Sequence, residues 1–109
     1  MAIENSLVID AVGTEVATNV VVLTILDGWD WSDEDGHLLA LQGKLNGYFE
    51  FIESGQLVEN YPLSAGKPVR IDIVARHPLT TRAADLVSAA AQVAHRGLGI
   101  EIDHKVAEG

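Results

Sequence analysis

The chain has 109 residues, 48% of them hydrophobic and 21% charged, which is the size and composition of one folded domain. It has no cysteine, so disulfides, thiolate metal sites and cysteine nucleophiles are excluded. Its net charge of −9 opposes nucleic acid and anionic membranes, which are held mainly through Lys and Arg, and favours a basic protein surface as partner.

The charge is unevenly spread. Residues 1–43 contain eight acids and no Lys or Arg, so nearly all the imbalance lies in the first two-fifths of the chain. The opening residues lack the basic segment of a signal peptide, and the longest apolar run, Val20 to Leu26, is far short of a membrane span. A cytoplasmic location is therefore expected.

Residues 7–13 and 19–26 are rich in β-branched side chains on either side of Gly13, Thr14 and Glu15, and read as two strands of a hairpin. The second is apolar on both faces except at Thr24, the pattern of a central strand. A helix is predicted over 33–54, with Ser32 as N-cap, three acids in its first turn and Gly55 as its stop. Its apolar stripe is Leu38, Leu41, Leu45, Tyr48 or Phe49, and Ile52, with Lys44, Glu50 and Glu53 off it. Gly43 and Gly47 cost this helix about 1 kcal/mol each against alanine, which implies the close approach of another helix or backbone.

Leu57 to Tyr61 reads as a short strand, and residues 62–68 as a turn-rich connection. Val69, Ile71, Ile73 and Ala75 alternate with Arg70, Asp72 and Arg76 as a half-buried strand. Thr80 or Thr81 caps a second helix with Ala83, Leu86, Ala90, Val93 and Ala94 inward, ending at Gly97. Leu98, Ile100 and Ile102 then alternate as a last strand. The expectation is a single α+β domain over residues 1–109. It is a two-layer sandwich of order β-β-α-β-β-α-β, a ferredoxin-like variant with an extra N-terminal strand and both helices on one sheet face.

The densest chemistry lies at residues 27–36, with five carboxylates and two tryptophans. The segment lacks the leading ligand and distal Glu of a calcium loop, so no metal is expected there. The four histidines show no metal-ligating spacing, no serine sits in a nucleophile elbow, and no cofactor fingerprint is present. No catalytic residue is predicted. Asp27, Trp29, Asp30, Trp31, Asp33, Glu34 and Asp35 are instead predicted as a partner-binding surface, with Trp29 exposed and Trp31 at the edge of the core.

Several of these residues also carry a resemblance. Val8, Ile9 and Asp10, the run Val22 to Ile25 with Asp27, the Asp30 and Trp31 pair, His37, Lys44, Tyr48, Phe51 to Gln56, and Tyr61 with Pro62 together resemble a family of uncharacterised small bacterial proteins. That family is a domain of unknown function. The similarity spans most of the chain, as far as Val74. It implies a bacterial cytoplasmic protein and brings no activity, cofactor or catalytic residue. The functional expectation is a non-enzymatic protein-interaction module whose acidic, tryptophan-bearing turn faces a basic partner. The alternative is a small-molecule-binding regulatory domain.

Overall fold

In the computed structural model, which describes residues 9–107, Ala11–Glu15 (β1) and Val20–Asp27 (β2) pair antiparallel. Residues 7 and 8 of the predicted first strand lie outside the described residues. The turn falls at residues 16–19, later than expected. Asn19 adopts φ 61° and donates its N–H to the Glu15 carbonyl at 2.8 Å. Asn tolerates this left-handed conformation, so Gly13 is left free to pair within the strand.

The first long helix spans Glu34–Glu53 (α1). Its N-cap is Asp33, whose carboxylate accepts from the Gly36 N–H at 3.1 Å, and not Ser32. Ser32 is held by the preceding acid: its N–H and hydroxyl both donate to Asp30 Oδ1, at 3.1 and 2.6 Å. Gly55, at φ 87°, ends α1 as expected and at once opens a second short helix, Gln56–Asn60 (α2), where a strand was expected. The reason lies in burial. Only Leu57 of this segment turns inward, so the period-two pattern that would hold a strand to a sheet is absent.

After a single 3-10 turn at Pro62–Ser64 come Val69–Ala75 (β3), Thr81–Leu98 (α3) and Glu101–Val106 (β4). Thr80 caps α3 by accepting from the Ala83 N–H at 3.2 Å. The helix runs through Gly97 and stops at Gly99, whose φ of 66° supplies the left-handed cap.

The four strands lie side by side in chain order. β1 and β2 are antiparallel, whereas β2, β3 and β4 are parallel. The element order is β-β-α-α-β-α-β, and the ferredoxin-like layout does not form. Without a strand between α1 and β3, each βαβ crossover sets its next strand directly beside the last instead of interleaving two repeats.

One sheet face is buried. Val21, Leu23 and Ile25 of β2 and Ile71 and Ile73 of β3 join Leu41, Leu45 and Tyr48 of α1 and Val87 and Ala94 of α3 in one core. Both long helices therefore share that face. The expected inward stripes are rotated, however. Leu38, Ile52 and Leu86 are only half-buried and Val93 is 65% exposed, because α1 turns His37 and Lys44 inward and α3 turns Val87 inward.

Candidate functional site

The parallel strands β2, β3 and β4 end at one edge of the sheet, and Asp27 is the last residue of β2. The next six residues cross to the start of α1, whose first turn brings His37 back under the loop. His37 Nε2 lies 2.6 Å from Asp27 Oδ2, with both side chains 1% exposed. Its Nδ1 lies 2.8 Å from the Asp30 carbonyl oxygen. A carbonyl only accepts, so Nδ1 is the donor in that contact, and Nε2 is hydrogen-bonded to the Asp27 carboxylate. The second carboxylate oxygen of Asp27 accepts from the Trp29 N–H at 3.1 Å. Trp31 stacks on the imidazole with ring centroids 3.5 Å apart, and Trp29 meets it edge-on at 5.6 Å.

Two turns further along the same face of α1, Lys44 reaches Asp10 Oδ1 at 3.1 Å, with the two side chains 0% and 2% exposed. Asp10 Oδ2 accepts from the Leu26 N–H at 2.9 Å. The Tyr48 hydroxyl accepts from the Asp10 N–H at 2.8 Å and donates to the Thr24 carbonyl, so the phenol bridges β2 to the residue just before β1. Burial pushes the Tyr48 pKa well above the ordinary phenol value, which keeps it a donor. Beside this cluster, His104 of β4 has a buried Nε2 without a hydrogen-bond partner; burial lowers its pKa, and the charge of Asp27 opposes that shift.

Residues 1–108 match the model of a family of unknown function, DUF6572. The chain belongs to that family. No curated protein and no solved structure is significantly similar to it. The family description specifies no chemistry, so the functional reading rests on the geometry of this member.

In this DUF6572 member the seven predicted partner-binding residues divide into an anchor and an outer rim. Asp27 is buried, so it is no part of a surface; its carboxylate is fully engaged inside the loop. Trp29 is half-buried, as is Trp31, and both pack on the core. The two rings do not diverge as expected, because His37 offers one a face and the other an edge. Asp30, Asp33 and Asp35 are exposed, whereas Glu34 is half-buried. Arg82 of α3 pairs with Glu34 at 3.0 Å and Asp35 at 2.8 Å. Hydrogen bonds from the Ser32 hydroxyl and backbone hold the Asp30 pKa below the usual carboxylate range.

His37, Lys44 and Asp10 were not singled out as site residues from the sequence. The available signal was spacing: His37, Leu41, Lys44 and Tyr48 stand four, three and four apart, which is one helix face. A polar residue on an apolar face is ordinarily read as a break in the stripe, and its partner comes from a distant strand. Chemically the Asp27–His37 pair resembles an acid–base dyad, but both ring nitrogens are already hydrogen-bonded and two indoles cover the ring, so neither nitrogen is available to a substrate. Among the described residues no three His, Asp or Glu side chains converge as a metal site requires.

Proposed function

We propose that this chain is a non-enzymatic protein-interaction module whose acidic turn, residues 27–35, receives a basic partner. The observation that carries the reading is the anchoring of the turn from inside. Asp27, His37 and the two indoles fix a loop whose outward groups are the exposed carboxylates of Asp30, Asp33 and Asp35. A loop already held in one conformation loses little entropy on binding, and a concentrated negative field steers a cationic partner toward it. Capping reinforces the arrangement, since Asp33 and Asp30 are tied by the Gly36 and Ser32 N–H groups and keep their negative charge outward.

Affinity capture from native cells with the wild-type chain and an Asp30→Asn/Asp33→Asn/Asp35→Asn variant tests this. Asn preserves both capping geometries, so folding should be retained. Proteins captured by wild type should be released by moderate salt and be missing from the variant. Capture that is equal for both chains and insensitive to salt would refute the reading.

A further inference from the structure

We infer that the trough between α1 and α3, on the side of the helices turned away from the sheet, docks one amphipathic helix with basic flanks from a partner protein. The inference rests on the reading of the chain as a module for basic partners and adds where the partner lies and what shape it has. A recess of about 640 Å³ and a second of about 220 Å³ share Gln42 and Leu86, so they run into one another along the two helices. A third continues from the second through Asn46 and Phe49. The floor is apolar, formed by Leu38, Leu45 and Phe49 of α1 and by Leu86, Ala89 and Ala90 of α3. Leu39 and Val93 stand on its banks, 70% and 65% exposed. The two alanines leave room for larger side chains to enter from outside.

The rotation of the two helices produces this surface. α1 directs His37 and Lys44 toward the sheet, which carries part of its leucine stripe around to the trough, and α3 does the same with Leu86 and Val93 by turning Val87 inward. The apolar residues that the sequence pattern assigns to the core thereby line an open channel.

Charge selects the occupant. Asp35 and Asp85 stand at one end and Glu50 and Glu53 at the other. Among the residues lining these recesses Arg82 is the one base, and it is paired with Glu34 and Asp35. From Asp35 to Glu50 α1 covers ~22 Å, about four turns, which matches a docked helix of about 15 residues. Such a helix would place apolar side chains at i, i+3, i+4 and i+7 on the floor and Lys or Arg against the acidic ends. A second copy of this chain fits less well, because its net charge of −9 would bring like charge to both ends.

The probe is a fluorescein-labelled synthetic peptide of about 18 Leu and Lys residues with leucines at that helical spacing, beside a peptide of the same composition in scrambled order. Binding is read by anisotropy and peptide helicity by circular dichroism. The proteins are wild type, a Leu39→Lys/Val93→Lys trough variant and the triple Asn turn variant, each checked for an unchanged melting curve. The patterned peptide should bind wild type and gain helix, and should lose affinity by about tenfold or more with the trough variant and by about tenfold with the turn variant. Equal binding of the scrambled peptide, or an unaltered affinity in the trough variant, overturns the inference. Loss confined to the turn variant overturns the trough alone and leaves the basic-partner reading standing, whereas loss in neither variant defeats both. Sedimentation equilibrium showing a wild-type dimer that the trough variant abolishes would assign the channel to a second copy and likewise overturn the inference.

Discussion

The sheet carries charged groups on both faces, and the two sets are built differently. On the helix side Lys44 meets Asp10 and His37 meets Asp27, all four side chains within a few percent of full burial. On the other face Arg70 bridges Glu15 at 3.0 Å, Asp72 at 2.7 Å and Asp103 at 3.6 Å, and Lys105 approaches Asp72 at 3.7 Å. Two neighbouring acids raise the Arg70 pKa through hydrogen bonds, yet its side chain is 21% exposed, so water reaches it and the open Glu15 and Asp103, while the buried Asp72 keeps Lys105 as a second partner. The buried pairs have no such recourse. Removing one partner there leaves a charge in a medium that cannot solvate it, while removing one on the open face leaves groups that water and the remaining ions can satisfy. The contrast separates charges that define the fold from charges that only decorate it.

Lys44→Met should give the largest effect, a loss of about 3–5 kcal/mol in denaturant unfolding, because Asp10 is left charged and buried. The double variant Lys44→Met/Asp10→Asn should recover part of that loss. If the double change is no more stable than the single, the pair is not what holds Asp10 in place. His37→Phe keeps ring volume over which the indoles can pack but removes the partner of Asp27, and should cost about 2–3 kcal/mol by the same measurement. An unchanged midpoint would mean that Asp27 is satisfied by the loop alone and that His37 does not anchor the turn.

Arg70→Ala should lower stability by about 1 kcal/mol or less, and raising the salt concentration should shrink the difference further. A loss as large as that from Lys44→Met would erase the distinction between the faces. The smallest effect should appear in pH dependence. Burial makes His104 take up a proton less readily in the folded chain than in the unfolded one, with Asp27 partly opposing. Its contribution is therefore intact above the unfolded histidine pKa of about 6.5 and declines as the pH falls below that value toward the lower folded pKa. His104→Gln should flatten this part of the stability profile between pH 7 and 5, on the order of two pH units around the histidine range. A profile that stays parallel to wild type would show that His104 is solvated.

Local chemistry was readable from the chain alone. The two N-terminal strands, the C-terminal edge of the sheet, the stop at Gly55 and the start at Thr80 follow from β-branched runs, left-handed glycine and a capping hydroxyl, each of which acts within a few residues. Membership of a family of unknown function was also legible, in the run of residues that includes Asp10, Asp27, His37, Lys44 and Tyr48. Their meeting was not. Asp10 and Lys44 are 34 positions apart and Asp27 and His37 are 10, so only the return of α1 across the sheet brings them together.

The same holds for the segment after Gly55. Val58 and Tyr61 suit a strand, but β3 takes the place directly beside β2, and a turn of helix with Leu57 tucked inward results. The sequence determined the α+β class, the acidic first half and the limits of both long helices to within a residue or two, because propensity and capping are local. Only the tertiary structure decided which side of each helix faces the sheet, since burying Lys44 and His37 requires partners that the chain supplies from distant strands and loops. That choice turned Asp27 from a surface acid into an anchor and left Leu38 and Leu39 of α1 along an open trough.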